Sequence, residues 1–320
     1  MEQASKWNLN RESLRGTVFV LLSAICFSTG GVLIKLIPWS SMTIQGIRSI
    51  FSIFVVGGYM LLRRQKFVWN KTVFWGAVCN TVMAFSFVAA TKLTTAANAI
   101  VLQFTEPIFV ILLMWLIYKK KPGKDALIAC AVVFAGILCF FFESLGAGQM
   151  AGNLLAILSG FTYALVMMMK KFEGADFESS LIVSNVISAV VGIPMYIRDF
   201  APAGGDALSG QLGAAGINAA GMPQIMESAA APMTEAWFFM LLGVVQFGFS
   251  YIFLSKGLDY VSPVTASLTS TIEPILNPVL VAVFYGEQIG AAAVIGAVLV
   301  VGAAAVYNVR QSMHTEESEK

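Results

Sequence analysis

The chain has 320 residues, of which 58% are hydrophobic and 12% are charged, and its formal net charge is +2. A soluble globular domain carries about 25% charged residues, so this composition excludes an ordinary soluble protein and indicates one embedded in membrane lipid. The small net charge gives no reason to expect a nucleic-acid partner.

Ten apolar segments follow one another along the chain. A helix crosses the hydrocarbon core of a bilayer with roughly 20 mostly apolar residues, and each segment approaches that length. The segments cover residues 16–37, 42–62, 72–90, 96–118, 125–142, 152–169, 180–197, 236–254, 263–285 and 289–308. They predict an all-α polytopic membrane protein, since strands of a membrane barrel would instead alternate apolar and polar residues.

Polar tails flank the apolar segments at residues 1–15 and 309–320. The N-terminal tail is followed by an apolar run long enough to stay in the membrane, so no cleavable signal peptide is expected. All four cysteines lie inside predicted spans without paired spacing, which favours buried small side chains over disulfides or metal ligands. The cysteines are Cys26, Cys79, Cys130 and Cys139.

The basic residues predict the orientation. Ten spans place both termini on one side of the membrane. If that side is the cytoplasm, only Lys35, Arg48, Lys92 and Arg198 of the 20 basic residues fall on or near the external side. Cytoplasmic loops carry an excess of Lys and Arg, so we expect both termini to be cytoplasmic and the membrane to be the cell (inner or plasma) membrane.

A Glu-Pro pair occurs twice, at Glu106-Pro107 and Glu273-Pro274, with an offset of 167 residues. The same offset sets "ATKLTTAANAIVLQFTEP" against "GLDYVSPVTASLTSTIEP" without a gap. The loop after the fourth span, "KKKPGK", is basic, whereas the equivalent "GEQIG" has no basic residue. Because a half with five spans places the next half upside down, these charges predict an inverted repeat.

The repeat divides the chain into two predicted units. Residues 16–142 form the first repeat, with helices 1–5, and residues 152–308 form the second, with helices 6–10. The second repeat contains an insertion at about 201–233 that is rich in Ala and Gly and has no aromatic residue. Such a segment buries too little surface to order itself, so we expect a flexible external tether, with a lid or receptor site as the alternative.

The stretches "KLTTAANAIVLQFTEPIFVILL" and "GLDYVSPVTASLTSTIEPILNPVLVAVFYGEQIG" resemble the ends of the two EamA-type repeats of the drug/metabolite transporter (DMT) superfamily. Arg48, in "GIRSIFSIFVV", also resembles a family position. The resemblance implies ten transmembrane helices in two inverted five-helix repeats around a central cavity. The sequence departs from the family pattern at Lys119 and Lys120, which stand where the second repeat has Gly286 and Glu287, and in the insertion.

Glu106 and Glu273 each lie near the middle of a predicted span. An ionisable side chain there costs about 2.5–3.5 kcal/mol on insertion scales, so two of them indicate a function: contact with a polar or cationic substrate, or transfer of a coupling proton. The alternative is that each carboxyl is protonated and bonds a neighbouring helix. Pro107 and Pro274, together with Pro278, predict helix kinks at this depth.

Other residues within the spans are weaker candidates for substrate contact. The polar candidates are Gln103, Asn80, Gln246 and Asn98, and the aromatic candidates are Tyr163 and Tyr251, with Phe85 and Trp75. Polar side chains in spans often only join helices, and aromatic side chains often only pack. Lys35 and Arg48 are expected near the external end and Lys92 in the external loop, with their side chains extended to the interface. The alternative is that they attract anions toward the external mouth.

These features together predict a secondary transporter that moves a small metabolite or drug-like solute by alternating access, with export as the first expectation and uptake as the alternative. Proton-coupled exchange and facilitated diffusion are both compatible with the sequence. A multi-pass membrane enzyme is the less favoured class, because the only histidine, His314, lies in the polar tail. No catalytic residue, metal site or cofactor is expected, and no Walker loop is present. Small residues in spans five and ten, such as Ala131 and Ala135, permit a homodimer.

Overall fold

A computed structural model of the protein describes residues 2–119, 123–143, 150–200 and 232–285, with parts of 291–307. These residues form helices and turns, with no strand among them. The α-helices are α1 (Glu2–Ser28), α2 (Gly30–Leu36), α3 (Ser41–Leu62), α4 (Lys71–Leu93), α5 (Ala96–Gln103), α6 (Glu106–Tyr118), α7 (Lys124–Glu143), α8 (Met150–Met168), α9 (Phe177–Phe200), α10 (Pro232–Leu241), α11 (Ser250–Leu258), α12 (Pro263–Thr269) and α13 (Glu273–Tyr285). Short 3₁₀ turns cover Met169–Lys171 and Ser270–Ile272, and a π-helical stretch covers Leu242–Phe249.

Eight helical segments of the described part are long and apolar enough to cross a membrane. They are Glu12–Leu36, Ser41–Leu62, Lys71–Leu93, Ala96–Tyr118, Met150–Lys171, Phe177–Arg198, Trp237–Leu258 and Pro263–Phe284. Each coincides with a predicted span. Helix α7 matches the fifth predicted span, and a shorter apolar helix, Val294–Ala303, lies within the tenth. The predicted insertion at 201–233 lies outside the described residues, except for the first two residues of α10.

Two of the spans are broken near their middle, at the Glu-Pro pairs. Phe104 and Thr105 separate α5 from α6, and a 3₁₀ turn separates α12 from α13. Proline has no backbone N–H and disfavours the helix before it, but it fits the first turn of a new helix. The chain therefore ends one helix and begins another where the sequence predicted a kink, whereas α13 is continuous through Pro278.

The two broken spans share one register. Thr95 caps α5 by accepting the Asn98 N–H at 3.1 Å, and Ser262 caps α12 by accepting the Thr265 N–H at 3.1 Å. Each of these positions is offset by 167 residues from its counterpart. The helices that follow, α6 and α13, have 13 residues each. The correspondence first found at the Glu-Pro pairs thus extends to the local backbone structure of both spans.

Close backbone contact and buried polar side chains join the helices. Gly46 of α3 faces Gly192 of α9, and a Cβ atom on either residue would overlap the backbone of the other. Nearby, the Asn185 side chain donates to the Ser52 hydroxyl at 3.0 Å. These contacts fix how α9 sits on α3, which carries part of the central site.

A second polar network lies at one end of the bundle. Gln65 donates to the carboxyls of Asp176 and Glu178, and Ser255 donates to Glu178. Lys170 donates to the Ser255 carbonyl at 2.6 Å and forms an ion pair with Asp259. The network connects the ends of α3, α8, α9 and α11.

Candidate substrate-binding cavity

The ends of the broken helices line a small cavity inside the bundle, with a volume of about 20 Å³. A cavity needs about 10–15 Å³ to hold one water molecule, so in this conformation it has room for about one water and must widen to admit a solute. Its polar lining consists of Arg48, Gln103, Tyr163, Gln246, Tyr251 and Glu273. The apolar lining is contributed chiefly by Phe27, Phe87 and Phe247 together with Met83 and Ala84.

The predicted site residues divide into two groups. Glu273, Gln103, Gln246, Tyr163 and Tyr251 line the cavity, whereas Glu106, Asn80 and Asn98 do not. Asn80 is buried and donates to the Ser184 hydroxyl at 2.8 Å, which joins α4 to α9. Asn98 lies in the first turn of α5, where its backbone N–H bonds the Thr95 cap.

Glu106 is completely buried, and its Oε2 atom accepts a hydrogen bond of 2.6 Å from the Ser267 hydroxyl. Ser267 belongs to α12, so this bond connects the break of one half to the broken span of the other. The Oε1 atom of Glu106 has no hydrogen-bond partner among the described residues. This arrangement matches the structural alternative for Glu106, a carboxyl that bonds a neighbouring helix.

Glu273 differs from Glu106 although the two occupy matching positions. It is 4% exposed, lines the cavity, and its Oε2 atom is buried without a hydrogen-bond partner among the described residues. The residue that corresponds to Ser267 in the first half is Ile100, which has no hydroxyl to offer. The Glu106 carboxyl therefore has the Ser267 hydroxyl as a partner, whereas the corresponding position for Glu273 carries the apolar side chain of Ile100.

Gln103 lies at the end of α5, where the helix stops before the first Glu-Pro pair. Its side-chain amide donates to the Ser159 hydroxyl of α8 at 2.7 Å, and Ser159 donates to the Met83 carbonyl of α4 at 3.1 Å. This chain of bonds spans three helices. It fixes the amide of Gln103 at the cavity wall, so Gln103 both joins helices and lines the site.

Arg48 is the residue that sequence reasoning missed. We expected its side chain to extend to the external interface, but it is 1% exposed and lines the central cavity. The prediction was wrong because a single basic residue near a span end resembles an interfacial anchor. The missed signal is the spacing of Gln45, Arg48, Ser49 and Ser52, which recur at three- and four-residue intervals on one helix face and are all buried.

Two neutral amides hold the Arg48 guanidinium. Its Nε donates to Gln45 Oε1 at 2.7 Å, and its Nη1 donates to Gln246 Oε1 at 2.8 Å. The guanidinium carbon lies 4.4 Å from the centre of the Phe247 ring, within cation–π range. No acidic side chain of the described residues forms an ion pair with Arg48, so its charge is oriented but not neutralised.

The π-helical stretch brings two of these partners to Arg48. Gln246 and Phe247 both belong to it, and the wider turn of a π-helix is frequent at functional sites. The stretch packs against α3 at Gly243, where a Cβ atom would lie 2.5 Å from the Arg48 carbonyl oxygen. Gly243 therefore allows the close approach that places Gln246 within hydrogen-bond distance of the guanidinium.

The aromatic wall differs in part from the one expected. Tyr251 packs edge-on against Phe27 at 5.1 Å and against Phe247 at 5.0 Å between ring centres. Its hydroxyl is buried without a hydrogen-bond partner among the described residues. Phe85 does not line the cavity, and Trp75 is 63% exposed on the surface of the bundle, so neither takes part in the wall.

The family is established by a match over nearly the whole chain. The model of the EamA-like transporter family matches residues 14–142 and matches again over residues 150–309. The chain belongs to the EamA-like transporter family. The resemblance found in the Glu-Pro stretches is thereby confirmed, and the family and the names of its relatives point to a polytopic membrane transporter.

Three relatives are similar to this EamA-like transporter. Solute carrier family 35 member G1 of Homo sapiens is 26% identical over 199 residues, covering 55% of this chain and 54% of the human protein. An uncharacterized transporter of Archaeoglobus fulgidus is 22% identical over 289 residues, covering 89% of this chain and 93% of that protein. The uncharacterized transporter YwfM of Bacillus subtilis is 28% identical over 190 residues, covering 56% of this chain and 64% of its own length.

The match to the human relative spans about half of that protein's length. A solved crystal structure also resembles this transporter, with a TM-score of 0.64 and 16% identity over 93% of this chain and 98% of the other. At that identity the likeness extends to the fold alone. The family and the relatives' names thus give a membrane transporter for small molecules, without naming a substrate for this chain.

Proposed function

We propose that this EamA-like protein is a secondary transporter that moves one small solute at a time through the central cavity by alternating access. The observation that carries the proposal is the lining of the cavity, which combines the Arg48 guanidinium with a Glu273 carboxyl oxygen and a Tyr251 hydroxyl that have no hydrogen-bond partner among the described residues. Buried polar groups without partners are costly. A polar solute that supplies the missing bonds therefore has a reason to bind here.

The proposed mechanism uses two halves of opposite orientation, residues 16–142 and 152–308. Its support is the repeated match of one family model, at 14–142 and 150–309, and the shared register of the two broken spans. Inverted repeats with broken helices at mid-membrane are a recurrent arrangement in transporters that rock one half against the other. Closure at the network of Lys170, Glu178 and Ser255 would alternate with closure at the opposite end.

The direction and orientation belong to the same proposal. Both termini are cytoplasmic, the membrane is the cell membrane, and export is the direction. Proton exchange through Glu273 drives the transport, because Glu273 lines the cavity and its Oε2 atom has no competing hydrogen-bond partner among the described residues. The uneven distribution of the basic residues supports the orientation.

Filling the cavity tests the proposal. Ala84→Leu places a larger side chain in the lining, and we expect at least about a tenfold loss of transport, equivalent to about 1.4 kcal/mol. Purified protein in liposomes is screened against amino acids, nucleobases, sugars and cationic dyes, with and without a pH gradient. Val82→Leu, on an exposed position of the same helix, is the control and should transport like the wild type. Equal flux in the two folded variants contradicts transport through this cavity.

The orientation has its own test. A C-terminal green fluorescent protein fluoresces only if it folds in the cytoplasm, whereas C-terminal alkaline phosphatase becomes active only outside it. We expect fluorescence without phosphatase activity, because most basic residues lie in loops on the side of the termini. The reverse pattern would invert the proposed orientation.

A further inference from the structure

We propose that Arg48 is the anion-binding residue of the central cavity and that the transported solute carries a carboxylate group which binds this guanidinium. The proposal rests on the transport function proposed above and names the chemical class of its substrate. It starts from one buried cation that has hydrogen-bond partners but no counter-ion among the described residues.

The Arg48 guanidinium has N–H donors available for a further ligand. Arginine has five N–H donors in a fixed plane, and the structure uses one on Nε and one on Nη1. The remaining donors are the second one on Nη1 and both on Nη2. Two parallel N–H donors on adjacent nitrogens match the two oxygens of a carboxylate, the geometry of the strongest arginine pairs.

No acidic side chain of the described residues forms an ion pair with the Arg48 guanidinium. Gln45 and Gln246 are neutral, and the Phe247 ring offers only the attraction of its π face. Glu273 lines the same cavity but forms no ion pair with Arg48. A buried charge without an opposite charge is strongly unfavourable, and a bound anion removes that cost when the cavity is occupied.

The lining favours a monocarboxylate over a phosphate. Among the described residues, Arg48 is the one basic residue that lines the cavity, and Glu273 is the one residue there with a carboxyl group. A doubly charged phosphate group would meet one cation and an acidic neighbour. A singly charged, planar carboxylate balances the charge of the guanidinium and can accept a hydrogen bond from the Tyr251 hydroxyl, which has no partner among the described residues. The apolar part of the solute would then pack against the aromatic side chains of the lining.

The first test compares solutes of one shape and different charge on the purified wild-type protein in detergent. The carboxylates are 3-methylbutanoate and 3-phenylpropanoate. Each is matched by its neutral amide and by its amine, 3-methylbutylamine or 3-phenylpropylamine. We expect at least one carboxylate to bind about tenfold or more tightly than its amide and amine, measured as radioligand competition and as a rise in the thermal unfolding temperature.

The outcomes separate this proposal from the transport proposal. Amide or amine binding as tight as that of the carboxylate overturns the assignment of Arg48, and so does failure of both carboxylates to bind the folded protein. Valine serves as a further ligand. If valine binds tightly, the natural solute is of the amino-acid type, and if it binds weakly while a simple carboxylate binds tightly, the solute is a simple acid. Both results support a carboxylate site. Binding without flux in liposomes contradicts transport and leaves the anion site intact.

The second test changes the residue. Arg48→Lys keeps a positive charge but loses the planar pair of donors, and Arg48→Gln removes the charge, so we expect carboxylate binding to weaken about tenfold or more in both. Arg64→Asn removes an exposed guanidinium two residues beyond α3 and should bind carboxylates like the wild type. If Arg48→Gln does not fold, Arg48→Lys and the wild-type series decide. Unchanged carboxylate preference in a folded Arg48→Gln protein overturns the proposal.

Discussion

Glu273→Gln is expected to abolish pH-gradient-driven transport, whereas Glu106→Gln is expected to retain most of it. The two carboxyls occupy matching positions of the two broken spans, but only Glu273 faces the cavity without a partner. A hydrogen bond to a charged group is worth about 1.5–3 kcal/mol. Loss of such a hydrogen bond between Glu273 and the solute should therefore lower the flux by about tenfold or more.

The measurement is solute flux in liposomes that contain each purified variant, with and without a pH gradient. Gradient-driven flux should collapse for Glu273→Gln while exchange of solute for solute continues. For Glu106→Gln the main effect should be on stability, because Gln still accepts the Ser267 hydroxyl proton through its amide oxygen. Equal losses in the two variants would contradict the assignment of separate roles.

The matching positions also offer variants that exchange the two environments. Ser267→Ala removes the partner of Glu106, and Ile100→Thr brings a hydroxyl to the position that corresponds to Ser267. We expect Ile100→Thr to lower gradient-driven flux in a folded protein, since a bonded Glu273 exchanges its proton less readily. Ser267→Ala should leave the flux close to that of the wild type, because Glu106 lies outside the cavity lining.

The sequence predicted the parts of this molecule that depend on local chemistry. Apolar length located the spans, because a helix in lipid must satisfy its backbone within about 20 residues. The Glu-Pro pairs located the two breaks, since proline acts on the residues next to it. The capping residues Thr95 and Ser262 lie at equivalent places, so the 167-residue offset also predicts where two further helices begin.

The composition of the cavity depends on packing and could be predicted only in part. Gln246 and Tyr251 were weaker candidates for solute contact, Gln246 as a polar side chain and Tyr251 as part of an aromatic wall, and the fold brings both to the cavity that Arg48 lines. Arg48 was placed at the wrong depth, because a long basic side chain near a span end extends either to water or into the bundle. Only the neighbouring helices, with Gln246 and Phe247 in a π-helical turn, decide between those two directions.

Gly46→Val is expected to prevent the protein from folding stably, and Gly192→Val should do the same. Glycine permits the backbones of α3 and α9 to touch, and a Cβ atom at Gly46 would overlap the Cα atom of Gly192. A clash with a flexible side chain is relieved by rotation, but one between two helix backbones requires the helices to separate. Overpacking alone costs about 1–3 kcal/mol, and separation would also open the buried Asn185–Ser52 bond.

A matched control lies on the same helix. At Gly58 an added Cβ atom would meet no other atom within 4 Å, so Gly58→Val tests the same chemical change without the contact. We expect Gly58→Val to yield monodisperse protein with a thermal unfolding temperature close to the wild type, while Gly46→Val aggregates or melts far earlier. Because α3 carries Arg48 only two residues beyond Gly46, even a partly folded Gly46→Ala protein should bind its solute more weakly. A stable Gly46→Val protein with unchanged binding would show that α3 and α9 do not need this contact.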